Sequence, residues 1–206
     1  MRELGAALRA LTGAATRTEV DVATLRKIAN QARELAEPLG EATRTRRTPP
    51  SVDEARPGRR MYNPVVGPGN PIAPPLEVRV EGGVAVGRCT LGLSYEGPHS
   101  YVHGGVSAML LDQILGHAHA ARGRPGLTAS LSLRYRRPVP LETPLLLTAW
   151  VPEESATDRR TGPKATIATE EDPGTALVEA TGIFVVPNAE QVARIFGDSR
   201  PSWSKP

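Results

Sequence analysis

One run of residues constrains this chain more than any other. Residues 104–122 are apolar at Val106, Met109, Leu110, Ile114, Leu115 and Ala118, contain one acid, Asp112, and have no lysine or arginine before Arg122. The three- and four-residue recurrence is helical, and at about 1.5 Å per residue the helix is long enough to cross a small sheet. Being nearly uncharged, it has to be buried on most sides, so the rest of the chain must be able to wrap it.

The segments around it read as strands. Residues 76–80 alternate, Glu81-Gly82-Gly83 supplies a turn, and residues 84–91 alternate again, which predicts a hairpin. Beyond the helix, residues 127–137, 145–151 and 164–170 are strand-like, and Asp172-Pro173-Gly174 forms a tight turn into a fourth run, 175–186. Short links between successive strands argue for an antiparallel sheet, and a single apolar helix argues that the sheet curls around it. Asn188 is placed to cap a short helix through Phe196 that Gly197 ends.

The N-terminal part differs in character. Residues 18–39 carry Val22, Leu25, Ile28, Ala32 and Leu35 at helical intervals, ended by Pro38 and Gly40, and predict an extra amphipathic helix. From 41 to 75 no period survives, and six arginines fall between Arg44 and Arg60. Such a stretch is expected to wrap the surface or a partner subunit, or to be partly mobile, with the arginines solvated. The expected division is an N-terminal helix and connection at 1–75, one α+β domain at 76–187, and a short helix and tail at 188–206.

Among the 206 residues no window reaches the roughly 18 to 20 apolar residues of a membrane span. The start Met1-Arg2-Glu3-Leu4 lacks the apolar core of a signal peptide, so a cytoplasmic protein is expected. The formal charge of +3 suits an anionic ligand without requiring nucleic acid. The single cysteine, Cys89, lies in a strand-like run and reads as a buried structural thiol.

The densest cluster of unusual choices is residues 101–113, where Gly104 and Gly105 open the helix and Asp112 interrupts its apolar face. Glycine costs roughly 1 kcal/mol relative to Ala in a helix, so a pair there points to a close approach to the backbone. The first N–H groups of a helix lack intrahelical partners and lie at the positive end of its dipole, which suits a carbonyl oxygen that gains charge during acyl transfer. Asp112 lies eight residues beyond Gly104, about 12 Å along the same helix. One chain therefore does not easily bring both to one carbonyl, and a dimer with active sites at its interface is expected.

These residues resemble the thioesterases of the hotdog superfamily, in the group of the phenylacetate-pathway (PaaI) enzymes and the THEM proteins. The resemblance covers residues 76–187. His-Gly-Gly, six residues and then Asp match His103 to Asp112 without a gap, and residues 128–140 resemble the family strand in which a basic-aromatic-basic run precedes prolines. The resemblance implies a hotdog fold and an acyl-CoA thioesterase of lipid metabolism, with coenzyme A only as part of the substrate, no other cofactor and no metal. The implied roles are Gly104 N–H as carbonyl donor, His103 fixing the turn, Gly105 keeping the approach open, Asp112 of the other subunit as base or nucleophile, and Thr128 orienting the water or the carboxylate. Arg134, Arg136 and Arg137 are candidates for the coenzyme A phosphates, since arginine pairs well with phosphate oxygens. Some members carry Asn six residues before the His, where this chain has Gly97. The implied assembly is a homodimer, with a dimer of dimers as a further option.

Two other readings stand beside this one. A hotdog hydratase or dehydratase needs a carboxylate working with a histidine, and His117 lies five residues after Asp112; the two point to different sides of a helix. A non-catalytic acyl-CoA or lipid binding protein is the third. His117 and His119 are otherwise expected in the core or at an interface.

Overall fold

The computed structural model describes residues 1–45, 48, 50–54, 60–123, 126–155 and 159–196. Its helices are α1 (Arg2–Arg17), α2 (Val22–Gly40), the single turn α3 (Ser51–Glu54), α4 (Gly104–Ala120) and α5 (Ala189–Phe196). Its strands are β1 (Glu77–Glu81), β2 (Val84–Thr90), β3 (Leu127–Tyr135), β4 (Pro144–Trp150), β5 (Arg160–Thr161), β6 (Lys164–Thr169) and β7 (Val178–Val185). They form one open antiparallel sheet in the order β1-β2-β4-β6-β7-β3, with β5 also paired to β7. This is the hotdog arrangement: α4 packs against β1, β2, β3, β4, β6 and β7.

The sheet can hold α4 closely because several of its inward positions are alanine or glycine. Leu110, Leu111, Ile114, Leu115 and Ala118 of α4 are fully buried, against Ala85, Leu145, Leu147, Ala149, Ala165, Ile167, Val178, Ala180 and Phe184 of the strands. A Cβ on Gly87 would stand 3.1 Å from Ile114 Cδ1, and one on Gly182 would stand 2.7 Å from Phe184 Cε2. Cys89 lies in this core, where burial pushes its thiol up to about 12, so it remains protonated and inert.

The far end of α4 is tied to the sheet by a histidine. His119 Nδ1 and Thr161 Oγ1 are 2.7 Å apart, and the ring packs on Phe184 with centroids 5.3 Å apart. Gly126 covers the other ring nitrogen so closely that a Cβ there would lie 2.4 Å from Nε2. The two-residue strand β5 that supplies Thr161 was not expected from the sequence; Gly162-Pro163 separates it from β6.

The N-terminal region also differs from expectation. Residues 2–17 form a helix of their own, and α2 starts at Val22 instead of residue 18 because Asp21 Oδ1 accepts from the N–H groups of Ala23 and Thr24 at 2.9 and 3.0 Å. Pro38 sits inside the last turn of α2, which runs on to Gly40. α1 is docked by Arg9, which donates to Asn70 O at 2.7 Å and Pro68 O at 3.2 Å, and by the ion pair of Arg17 with Glu142. The connection expected to wrap the surface is ordered from 60 to 75 on this same chain: Asn63 Oδ1 accepts from Val65 and Val66 N–H, and its Nδ2 donates to Gln113 Oε1 of α4 at 3.2 Å. Arg46, Arg47, Arg56 and Arg59 of the arginine cluster lie outside the described residues. At the other end Asn188 and Gln191 exchange hydrogen bonds of 2.8 and 2.9 Å in a capping box for α5, and the expected stop at Gly197 lies outside the described residues.

Two stability measurements follow. Ile114→Ala should destabilise the fold by about 2–5 kcal/mol in urea unfolding, the cost of a cavity at a site the sheet cannot collapse onto. Burial holds His117 and His119 below the ordinary histidine value of 6.5, so both are neutral in the fold while the unfolded chain protonates near 6.5. Stability should therefore be full above about pH 6.5 and fall as pH drops through 6.5 toward the lower folded values. Replacing both with Gln should flatten that slope.

Candidate active site

The site begins in a short hairpin before α4. Glu96 and Val102 pair, Gly97 N–H donates to Tyr101 O at 2.9 Å, and His103 N–H donates to Tyr95 O at 2.9 Å. Gly97 lies directly on His103: a Cβ there would be 2.6 Å from His103 Cα. An Asn side chain, which some family members carry at this position, does not fit this backbone.

His103 is the N-cap of α4. Its Nδ1 accepts from Gly105 N–H at 3.0 Å, and its carbonyl accepts from Val106 N–H at 2.9 Å and Ser107 N–H at 3.2 Å. With Nδ1 an acceptor, the neutral ring carries its proton on Nε2. A Cβ on Gly105 would crowd the ring at 3.1 Å, so this glycine serves the cap. Of the opening N–H groups, Gly105, Val106 and Ser107 are bonded, and the Gly104 N–H has no acceptor among the described residues. The Gly104 carbonyl is held from behind by Tyr135, whose hydroxyl donates to it at 2.9 Å. Tyr135 was not singled out in the sequence, although it is part of the basic-aromatic-basic run.

Asp112 is half-buried two turns further along α4, and Thr128 Oγ1 donates to its Oδ1 at 2.9 Å. The pairing depends on an irregularity in β3. Thr128 faces Phe184 and Ser130 faces Ile183, so Ala129 is an extra residue opposite β7. Leu131 and Leu133 point to the core, and in a regular strand Thr128 would fall on the opposite face from them. The bulge turns it inward, a common use of such irregularities near functional groups. The signal was present in the sequence as the odd spacing between Thr128 and Leu131.

The structure thus brings Thr128 to Asp112 and His103 to Gly105, and leaves Gly104 and Asp112 about 12 Å apart along one helix. It separates the arginines from this pair. Arg136 is held by Glu179 through Nε at 3.1 Å and Nη2 at 2.9 Å. Arg134 lines a trough of about 440 Å³ on the outer face of the sheet with Ser132, Trp150, Lys164, Thr166 and Glu179. Arg137 lies just past β3, its N–H donating to Leu177 O at 3.0 Å. His117 Nε2 is buried with no partner among the described residues and is not joined to Asp112, so the carboxylate–histidine pair of a hydratase does not form within this chain.

Among the described residues the β3 edge beyond this site is unpaired on one side, and the strand is exposed over most of its length. An open nine-residue edge of this kind invites another chain.

Residues 99–157, from the hairpin through β4, match the sequence profile of the thioesterase superfamily. The chain is similar to a thioesterase superfamily protein of known crystal structure, with 35% identity over 89% of this chain and 94% of that one and a TM-score of 0.77. A hypothetical thioesterase from Streptococcus pneumoniae, solved with coenzyme A, is 22% identical over 55% of this chain and 89% of its own, with a TM-score of 0.50. The E. coli PaaI protein of the phenylacetic acid degradation operon is 18% identical over 55% and 80%, also with a TM-score of 0.50. The last two share the fold.

Deleting Ala129 removes the extra residue and sets Thr128 directly before Ser130, where regular alternation with Leu131 and Leu133 keeps it on the inward face. The expected result is a Thr128 to Asp112 hydrogen bond retained in a crystal structure, with Thr128 still opposite Phe184. Loss of that bond would show that alternation from Leu131 does not fix the face of Thr128.

Proposed function

Because the chain belongs to the thioesterase superfamily, we propose that it hydrolyses the thioester of an acyl-CoA to the free acid and coenzyme A at a site completed by two copies of the chain. The observation that carries this reading is the split between its two chemical halves. Gly104 offers an N–H with no acceptor among the described residues, and Asp112 offers a carboxylate with one oxygen tied to Thr128, yet the two lie on one helix too far apart to meet one carbonyl. A second copy related by a two-fold axis, docked on the open β3 edge, supplies the missing half to each site.

In this reading the substrate carbonyl accepts from Gly104 N–H. Oδ2 of the partner copy's carboxylate takes a proton from water, and the hydroxide so formed attacks the carbonyl carbon. Negative charge develops on the carbonyl oxygen, where the backbone dipoles of the helix start are already oriented, so no reorganisation is needed at that moment. The C–S bond then breaks and the sulfur leaves with a proton. Direct attack by Asp112 would form a mixed anhydride instead, and oxygen-18 from labelled water appearing in the Asp112 carboxylate would identify that route. Arg134 and Arg137 carry no acidic partner among the described residues and are the cations left to meet the coenzyme A phosphates; Arg136 already holds Glu179. The pneumococcal protein solved with coenzyme A supports the choice of substrate class.

The test is release of free thiol from acyl-CoAs ranging from acetyl to long-chain and aromatic. Asp112→Asn should lower kcat by about 10²–10⁴-fold, the usual contribution of general base catalysis. Gly104→Pro replaces the N–H with a ring carbon where the carbonyl would approach, at the helix position that tolerates proline, and should also lower kcat with little loss of stability. Mixed and reassorted, the two inactive proteins should recover up to about a quarter of wild-type activity, since half of the dimers are then mixed and each carries one intact site. No recovery would rule out a shared site, and no turnover of any acyl-CoA by the wild type would rule out the thioesterase reading.

A further inference from the structure

α1 does not close fully against the domain it docks on. Between α1, the 71–75 segment and the loop that follows β2 runs a groove of about 470 Å³, a volume in the range of small-molecule sites. Ala10, Pro71, Ile72, Pro75 and Tyr95 give it mostly apolar walls, and Ile72 is 67% exposed. Tyr95 O accepts from His103 N–H, so the groove lies behind the turn that opens α4, and Asp112 is not one of its walls.

Gly13 keeps the groove open. It lies inside α1, where glycine is the poorest helix former after proline, and a Cβ built on it meets nothing within 4 Å. The contrast is with Gly5 on the same helix, where a Cβ would stand 2.7 Å from Pro68 O and packing requires the glycine. Nothing in the packing requires Gly13. As a wall of the groove, its missing side chain is space that the groove keeps.

The one charge in the lining says what fits. Arg9 alone among the lining residues carries a formal charge, and it forms no ion pair among the described residues; Arg17 nearby is neutralised by Glu142. Of the five N–H groups of its guanidinium, Nη1 donates to Pro68 O and Asn70 O, and Nη2 donates to Pro68 O. The Nε–H and the second Nη2–H have no acceptor among the described residues. They are the side-on fork suited to a carboxylate, the pair by which Arg136 holds Glu179. The Tyr95 hydroxyl also has no hydrogen-bond partner among the described residues. Burial pushes it above its ordinary value, with Arg9 acting against the shift, so it stays a neutral donor.

We propose that this groove binds an amphipathic monocarboxylate, its carboxylate held by Arg9 and the Tyr95 hydroxyl and its hydrocarbon tail laid along Pro71, Ile72 and Pro75. A neutral apolar molecule would leave the Arg9 fork unpaired, and a cation would be repelled. The acid released under the thioesterase reading belongs to this class, but the site stands without that reading.

Octanoate is the probe, and octanamide, of equal length and neutral, is its control. In full-length protein labelled at the isoleucine δ1 methyls, the Ile72 signal, assigned with Ile72→Val, should shift and saturate with octanoate. Calorimetry should give octanoate at least about tenfold higher affinity than octanamide, the worth of a charge-assisted pair. Gly13→Leu should abolish both responses with stability in urea kept or raised, because Leu is the better helix former. Ile72→Glu sets a fixed carboxylate at the exposed rim and should abolish the calorimetric binding. An Ile72 signal that does not move, equal affinity for acid and amide, or full octanoate binding by either folded variant would each overturn the proposal. Octanoate binding with no thiol release from any acyl-CoA would remove only the thioesterase reading and leave this site standing.

Discussion

The structure depends on one constraint: a helix that is apolar around nearly its whole circumference must be removed from water. α4 has no polar face on which to lie at a surface, so it is stable only where the sheet curls about it. That need explains the small residues at several inward strand positions and the glycines where β2 and β7 cross under Ile114 and Leu115. It also determines where chemistry is possible. An acid on such a helix has to emerge where the wrapping is incomplete, and Asp112 does so at the β3 edge.

The site is an arrangement of backbone as much as of side chains. His103 satisfies the second N–H of α4 with its ring and the third and fourth with its carbonyl, which leaves the first without an acceptor among the described residues. Gly97 and Gly105 are glycines because the His103 backbone and ring occupy the space a Cβ would need. β3 then steadies α4 at two points, with the Tyr135 hydroxyl on the Gly104 carbonyl and the Thr128 hydroxyl on Asp112. One strand therefore orients both halves of the candidate site, although the halves serve different copies in the proposed mechanism.

Much of this was legible in the sequence. The helix from Gly104, the hairpin of β1 and β2, the strands that follow and the Asp172-Pro173-Gly174 turn are local features, written in hydrophobic period and turn chemistry. The same holds for His103-Gly104-Gly105 and Asp112, which stand out because they interrupt a pattern. Other elements were not legible for physical reasons. β5 is two residues long and exists because β7 offers it hydrogen bonds. α1 carries small residues and few large apolar ones, and its place is held by Arg9 and Arg17 reaching residues 59 to 125 positions away. The separation of Arg136 from the other two arginines came from Glu179, a residue of a different strand.

The sequence by itself determined the inventory: one wrapped helix, an antiparallel set of strands, a glycine pair at a helix start and a lone carboxylate on its apolar face. Periodicity and propensity act over a few residues, and these features need nothing more. Only the tertiary structure decided that Thr128 meets Asp112, that Gly104 keeps an N–H without an acceptor among the described residues while its neighbours do not, and that Glu179 holds Arg136. Each of these depends on register across strands or on space between elements, and a single extra residue such as Ala129 reverses the face of a side chain without changing the pattern that predicts the strand.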